Sequence, residues 1–375
     1  MKLCRSLAVI SGLAMSVVAT VGLAMPASAA YTNEPLSRAW VADGPVHSSL
    51  GTSTSLFVGG LFAGSGGVAM VDPATGGANW ILPTNGDVRA LALSSDGNTL
   101  FAGGNFTTVA GAKHLHLVAI NVSDGSVIPT WKASASGSVR DLVVSGDTLY
   151  VAGTFKTING FTEKGLGALT ASTGVRISGF THFTDKNVWG LALTPTSLIA
   201  VGNFTTVDGV GRSSMASFNL STYAMTSWAP YRLCSGCTSY WDIVVDGTNA
   251  YVGTSGNVVG AYNLVTGSNP WRYVRTDGDV QALALTGDGL LYIGGHFGQY
   301  VGSSSNPRTI LAAINPANGA VDPNFHPRFY ATYPGIWTLT STPGRLYGGG
   351  DFKGVGIGPN EANNKVPYLA AFGVL

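Results

Sequence analysis

Seven residues of this chain, one in each of seven sequence repeats, have side chains suited to binding polar ligands. Each directly follows the residue that opens a short alternating run, and they are His47, Arg89, Arg140, Trp189, Trp241, Gln281 and Trp337. Indoles offer flat apolar faces to the C–H faces of sugars, and guanidinium groups offer paired donors to hydroxyls or carboxylates. Brought together, they would form a collar that binds a neutral or anionic polyol or glycan.

The alternative is that these seven side chains only fill space between repeats, with the Arg stems lying along apolar surface. The repeats provide a control, because positions that are alike in all copies hold the fold and positions that differ in kind are free for function. Five other tryptophans recur at one repeat position and are predicted to pack: Trp40, Trp80, Trp131, Trp228 and Trp271.

Carboxylates lie close to the same run starts, and they keep an enzyme open as an alternative. They are Asp87, Asp141, Asp242 and Asp279. A pair of them could act as acid and base on a glycosidic bond, although Asp at a strand start often bonds its own backbone in a turn. We therefore assign no catalytic residue. His114 and His116 have no third ligand nearby in sequence, and no phosphate or dinucleotide motif occurs, so we predict neither metal nor cofactor.

A repeated sequence phrase, whose copies start 41 to 55 residues apart, indicates the strands that would position the collar. Its copies begin at Leu56, Leu100, Leu149, Leu198, Ala250, Leu291 and Leu346. Each phrase lies among three further short β-type runs, and this period is typical of propeller blades. The prediction is an all-β, seven-bladed β-propeller with four antiparallel strands per blade. The N-terminal run Ser37–Val41 would pair with Tyr368–Val374, completing the last blade and closing the ring.

Three of the phrases also resemble a known repeat. Leu100–Gly111 (LFAGGNFTTVAG), Leu149–Gly160 and Leu198–Gly209 are similar to the delta-sixty-type propeller repeats of secreted and surface bacterial proteins. The copies at Leu291 and Leu346 match in part, and the first and fifth depart from the pattern. The resemblance implies the propeller fold. Because that family has no common catalytic residues, it implies surface recognition by analogy only.

The N-terminal residues 1–29 have the features of an export signal. Lys2 and Arg5 precede an apolar stretch, and Ala27-Ser28-Ala29 supplies a small-residue cleavage site. Residues 30–375 are then a single secreted domain with 18 basic and 19 acidic residues, and we expect a monomer. With no basic excess we predict no nucleic-acid partner, and no other stretch is long and apolar enough to span a membrane.

The secreted chain would keep two cysteines, Cys234 and Cys237, in the sequence Cys-Ser-Gly-Cys. An oxidising compartment favours a disulfide between them. A redox pair or free thiols are the alternatives, whereas a four-cysteine zinc site lacks two ligands.

Together these features predict a secreted recognition module whose partner is an extracellular or cell-wall polysaccharide or a surface glycoprotein, bound at the mouth of the central channel. Two alternatives remain open at this stage. One is a lyase or glycoside hydrolase that acts at the same face, and the other is a structural envelope protein that binds a protein partner.

Overall fold

The computed structural model describes residues 31–36, 40, 42–62, 64–330, 335–355 and 366–374. Regular structure in these residues consists of β-strands alone. The predicted leader, residues 1–29, lies outside them. Nowhere in the described part of the chain is there a helix with the length and apolar character needed to cross a bilayer.

Seven antiparallel sheets of three or four strands follow one another along the described chain, and we number them 1 to 7. Their first strands are Val46–Gly51, Val88–Leu93, Val139–Ser145, Val188–Leu193, Tyr240–Val245, Val280–Leu285 and Ile336–Thr342. Their second strands, which contain the repeated phrase, are Leu56–Gly60, Thr99–Gly104, Thr148–Gly153, Ser197–Gly202, Asn249–Thr254, Leu291–Gly295 and Arg345–Gly350. Their third strands are Gly67–Val71, Leu117–Asn121, Leu166–Thr170, Met215–Asn219, Val258–Asn263, Leu311–Ile314 and Leu369–Val374. Every first strand begins at the residue that the repeat indicated.

Short two-stranded sheets complete the described strands. They pair Thr108–Val109 with Ala112–Lys113, Thr157–Ile158 with Phe161–Thr162, Thr206–Val207 with Val210–Gly211, Tyr300–Val301 with Ser303–Pro307, and Phe329–Tyr330 with Gly354–Val355. Four of the five lie within the connection between the second and third strands of one sheet, where the sequence carries the Phe-Thr-x-Val tail of the phrase or its partial match.

The prediction of four strands in every blade is wrong for four sheets. Within the described residues, a fourth strand is present only in sheets 1, 5 and 7, where it is Ala78–Pro83, Val274–Arg275 and Tyr31–Pro35 respectively. In sheets 2, 3, 4 and 6 the outer run forms a single bridge to the third strand. The run then turns inward and buries its aromatic residue, as the Trp131 N–H to Ile128 carbonyl bond shows. In these four sheets the buried ring takes the place of the further backbone hydrogen bonds that a fourth strand would make.

The strand that the structure pairs with the third strand of sheet 7 comes earlier in the chain than the predicted run. Tyr31–Pro35 pairs antiparallel with Leu369–Val374, whereas most of the predicted run Ser37–Val41 lies outside the described residues. Tyr31 is buried and packs edge-on against Tyr292 of sheet 6. Trp40 instead packs edge-on against Phe62 of sheet 1, with ring centroids 5.2 Å apart. The buried Tyr31 therefore anchors the strand Tyr31–Pro35 against sheet 6, beside its partner strand in sheet 7.

The first strands contact one another in cyclic order. Each lies against the first strand of the next sheet, and the first strand of sheet 7 lies against that of sheet 1. Two hydrogen bonds join sheets 7 and 1, from the Gly51 N–H to Thr340 Oγ1 at 2.9 Å and between the hydroxyls of Ser49 and Thr338 at 2.8 Å. The starts of all seven first strands are thereby brought around one space.

The recurrent tryptophans fasten neighbouring sheets, as the sequence predicted for packing residues. Trp131 donates from Nε1 to the Ala171 carbonyl of sheet 3 at 2.9 Å, and Trp80, Trp228 and Trp271 make equivalent bonds to the next sheet. Gly125 shows why the facing turn carries glycine. Its φ is +73°, and a Cβ there would lie 2.6 Å from the Trp80 ring.

Candidate functional site

Each predicted collar residue is the extra residue of a β-bulge. In all seven sheets the register between first and second strands shifts across this residue, as between Val139 and Asp141 around Arg140. A bulge re-aims a side chain out of the normal alternation of a strand. The fold therefore uses the same β-bulge seven times, and the side chain that it projects is Trp, Arg, His or Gln depending on the sheet.

The seven bulge residues converge on one space. A cavity of about 110 Å³ is lined by these seven residues and no others among those described. An adjoining cavity of about 210 Å³ has the same seven in its wall and extends to the residues that follow them, including Ser48, Asp141, Asp242 and Thr338. All seven side chains are half-buried. We call these seven residues the collar.

The aromatic members of the collar contact one another and their neighbours. The Trp189 and Trp241 rings are 5.5 Å apart and tilted by 43°, and the Arg140 guanidinium lies 5.0 Å from the Trp189 ring centroid. Trp337 lies edge-on to His47 at 5.5 Å, and edge-on to a residue that the sequence did not indicate, His296, at 4.9 Å. These contacts hold the indoles in place while leaving part of each exposed.

Asp87 joins two members of the collar. Its Oδ1 lies 2.7 Å from His47 Nδ1 and its Oδ2 lies 2.5 Å from Arg89 Nε, and its side chain is only 6% exposed. Asp87 therefore positions both side chains and neutralises Arg89. Arg140 has no carboxylate within 4.0 Å among the described residues. Burial and the nearby Arg89 charge together lower the pKa of Arg140 to about 10, while the charge of Asp87 acts in the opposite direction.

Several buried polar atoms of the collar have no hydrogen-bond partner within the described chain. They are Arg140 Nε, Trp189 Nε1, Trp241 Nε1, Gln281 Oε1 and Trp337 Nε1. Buried polar groups in folded proteins are almost always hydrogen-bonded, to protein, water or ligand. Unpaired polar atoms around one cavity are positions where ordered water or a polar ligand can complete the hydrogen bonding.

Five of the seven residues that directly follow the collar line the larger cavity, and we call them its floor: Ser48, Ala90, Asp141, Asp242 and Thr338. Polar and small residues alternate at this position from sheet to sheet: Ser48, Ala90, Asp141, Gly190, Asp242, Ala282 and Thr338. Asp141 accepts from the N–H groups of Leu142 at 2.7 Å and of Leu191 in sheet 4 at 2.6 Å. Asp242 makes the same pair of bonds to Ile243 and to Leu283 in sheet 6.

Burial changes the acidity of these two carboxyl groups. It raises the pKa of Asp141 to about 7, and the charge of Asp242 adds to the rise. It raises the pKa of Asp242 to about 6, against backbone hydrogen bonds that lower it. Near neutral pH both groups are thus close to their protonation midpoints, which is the range in which a carboxyl group can donate as well as accept.

Asp279 is the fourth carboxylate that the sequence singled out, and it lies behind Trp241 rather than in the cavity wall. Burial raises its pKa, whereas the Trp241 indole and the charge of His296 lower it. Of the four candidate acid–base groups, the structure therefore brings two, Asp141 and Asp242, to the cavity and leaves Asp87 and Asp279 as partners of collar side chains.

The cysteine pair lies beside the collar. The Sγ atoms of Cys234 and Cys237 are 2.20 Å apart, at disulfide distance. They pack on Gly256, where a Cβ would lie 2.6 Å from Cys234 Sγ. In the same segment, Leu233 donates its N–H to the Tyr240 hydroxyl at 3.0 Å. The segment that leads into Trp241 is thus anchored to its own sheet.

Larger grooves exist at the outer surface, but they follow from the repeat itself. One of about 710 Å³ is lined mainly by aliphatic side chains together with Lys113, His114 and Lys132. Another of about 530 Å³ lies one sheet further on and shares Lys132. Each groove is formed by the hairpin and outer run of neighbouring sheets, whereas the collar brings together one residue from each of the seven sheets.

Comparison with known proteins agrees with this architecture. A family model described as outer membrane protein assembly factor BamB matches residues 17–178, less than half of the chain. No curated protein matches the sequence. Among solved structures, the chain is similar to the WD40 repeats of RRP9, with a TM-score of 0.65, 12% identity, and 92% of this chain and 100% of that chain covered. It is also similar to the WD40 β-propeller domain of Doa1, with a TM-score of 0.61, 10% identity and 92% and 96% coverage.

These likenesses define the class of protein. The described residues are all-β, they form successive antiparallel sheets in contact through their first strands, and the neighbours are β-propellers. The chain has a β-propeller fold. Since the identities are about 10%, the likeness concerns the fold and says nothing of a ligand.

Proposed function

We propose that this protein is a secreted, monomeric, seven-bladed β-propeller that recognises an extracellular or cell-wall glycan through its collar. The seven sheets would be the blades, and Tyr31–Pro35 would complete the last one. The pairing of Tyr31–Pro35 with Leu369–Val374 and the contact between the first strands of sheets 7 and 1 support a closed ring. In a closed ring the collar lies at one mouth of the central channel.

The observation that carries the glycan proposal is the convergence of seven bulge residues of four chemical types, Trp, Arg, His and Gln, on one cavity. Three indoles provide stacking faces, and unpartnered groups on Arg140, Trp189, Gln281 and Trp337 provide hydrogen-bonding positions between them. Apolar faces alternating with donors and acceptors match the alternating C–H and hydroxyl surfaces of a sugar ring.

The test compares two tryptophans of sheet 5. Residues 30–375 are titrated with a panel of glycans and cell-wall fractions, with intrinsic tryptophan fluorescence as the readout. Trp241→Leu removes a collar indole, and the matched control Trp271→Leu removes a packing indole whose Nε1 donates to the Pro316 carbonyl. We expect the first to abolish binding with the melting temperature nearly unchanged, and the second to lower the melting temperature with binding retained. Absence of a saturable response to every glycan contradicts the proposal.

A second candidate function is a secreted lyase or glycoside hydrolase, and the pKa values of Asp141 and Asp242 are the observation that favours it. Two carboxyl groups with raised pKa values in one cavity are a common arrangement for acid and base catalysis. This candidate predicts a bell-shaped dependence of the rate on pH that is lost in Asp141→Ser, the residue present at this place in sheet 1. Absence of turnover on every glycan that the protein binds would exclude it.

A further inference from the structure

The two cations of the collar lie side by side in sheets 2 and 3, and only one of them is neutralised. Arg89 is paired with Asp87, which also bonds His47. Arg140 is close enough to feel the Arg89 charge, yet no carboxylate of the described residues lies within ion-pair distance of it. Within sheets 1 to 3 the ion-paired carboxylate is thus Asp87, whose charge also acts on Arg140 from beyond ion-pair distance.

The nearest other carboxylates do not pair with Arg140. Asp141 is its sequence neighbour, but both of its oxygens accept backbone N–H groups, from Leu142 and Leu191. Asp242 is held in the same way two sheets further on. A half-buried guanidinium without a partner is costly for a protein to maintain, and so a site that keeps one is suited to an anionic ligand.

The geometry of Arg140 also suits a planar anion. Its guanidinium lies over the Trp189 ring at 5.0 Å, and this stacking orients the flat donor group. Its Nε is buried and unpartnered at the cavity. Arginine binds carboxylates through two parallel N–H groups when it is oriented in this way. The Trp189 and Trp241 rings continue the wall on the side away from Arg89.

The volume of the larger cavity limits the size of the ligand that it can hold. The larger cavity is about 210 Å³, below the roughly 300–1,000 Å³ typical of pockets for drug-sized ligands. It has room for one sugar residue rather than for a length of chain.

Resting on the proposed function, we propose that the collar recognises the acidic end of a glycan, namely a single terminal uronic acid. Its carboxylate is bound by Arg140 beside Arg89, and its ring lies against Trp189 and Trp241. The hydroxyls of the same residue reach the floor formed by Asp141 and Asp242. The rest of the glycan remains outside the mouth.

The experiment uses two tetrasaccharides of identical backbone, one ending in glucuronic acid and one ending in glucose at the non-reducing end, titrated calorimetrically into residues 30–375. A charge-assisted hydrogen bond predicts roughly 10- to 100-fold tighter binding of the acidic probe, and a preference that falls as salt rises. Equal affinity for both probes overturns the inference and leaves the proposed function standing. Binding of neither probe, with no response across the glycan panel, defeats the proposed function as well.

Variants then locate the preference. Arg140→Gln should reduce affinity for the acidic probe roughly 10- to 100-fold and leave the neutral probe within about twofold. The matched control is Arg275→Gln, which removes an exposed arginine stacked at 5.1 Å on Tyr273 outside the cavity. It should change neither affinity. An acid preference that survives in Arg140→Gln with an unchanged melting temperature overturns the assignment. If Arg140→Gln fails to fold, Arg140→Lys provides the second test, since it keeps the charge but loses the paired donors and so should lose part of the preference.

Discussion

Asp141 and Asp242 should make this protein more stable at pH 5 than at pH 8. The folded pKa of Asp141 is about 7 and that of Asp242 about 6, against 3.8 for an exposed Asp. Because the folded values are raised, the stability that these groups contribute is present at low pH and is lost as pH rises through 6 and 7. Linkage between proton binding and folding gives a loss of about 3 kcal/mol for Asp141 and about 1 kcal/mol for Asp242 between pH 5 and 8.

The assay follows thermal unfolding by circular dichroism at several pH values between 5 and 8. An unfolding entropy of about 2.1 cal/mol/K per residue converts a total of about 4 kcal/mol into a fall of roughly 5 °C in the melting temperature. The test variant combines Asp141→Ser and Asp242→Thr, which introduce the residues that the fold uses at this place in sheets 1 and 7. The variant should show a much smaller fall. Asp246→Asn is the matched control, since hydrogen bonds lower the pKa of this group and it does not titrate in this range.

The reasoning would be refuted by a wild-type melting temperature that is level from pH 5 to 8, or by an equal fall in the double variant. In the second case the dependence would belong to other groups, of which Glu163 and Asp279 also have pKa values raised by burial. A steeper fall in the variant would show that the two carboxylates stabilise the sheets in their charged form.

Three further predictions concern the framework. Gly125→Ala should destabilise the protein by more than about 1 kcal/mol in denaturant unfolding, because φ is +73° and the Trp80 ring occupies the Cβ position; a neutral result contradicts the close packing. Trp131→Phe should lower the free energy of unfolding by about 1–3 kcal/mol, because it leaves the Ala171 carbonyl of the next sheet without its donor. An unchanged unfolding midpoint would contradict this role of the indole N–H. Replacing Cys234 and Cys237 together with serine should cost about 2 kcal/mol, as the entropy of closing a four-residue loop predicts; equal stability of this variant and the wild type would show that no disulfide forms.

The repeat allowed much of the fold to be predicted from sequence. The Val-Gly-Gly phrase and the alternating run before it mark strands by their period, so all seven first strands begin where expected. The outer strands were predicted less well. Their aromatic residues also signal burial, and whether a run completes a ladder or turns inward, as at Trp131, depends on the space that the neighbouring sheet leaves.

The bulges had a signal in the sequence that points to the site. In six sheets the next large apolar residue, Leu or Ile, comes three positions after the opening one, as in Val139 and Leu142, whereas strict alternation requires an even spacing. An odd interval between two buried positions implies an extra residue, and that residue is the one projected into the cavity. His296 had no such signal, because its contact with Trp337 joins sheets 6 and 7 and depends on how they pack.

The sequence by itself determined that the chain is all-β, where its strands begin and which residue of each repeat is free to vary, because these follow from local period and from comparison of the copies. Only the tertiary structure decided that Asp87 neutralises Arg89 and leaves Arg140 unpaired, and that Asp141 and Asp242 share a cavity floor. Asp87 and Arg89 are two positions apart, but the other distances that decide pairing and burial join residues far apart in sequence, 40 positions from His47 to Asp87 and 101 from Asp141 to Asp242. Those distances exist only once the sheets have packed.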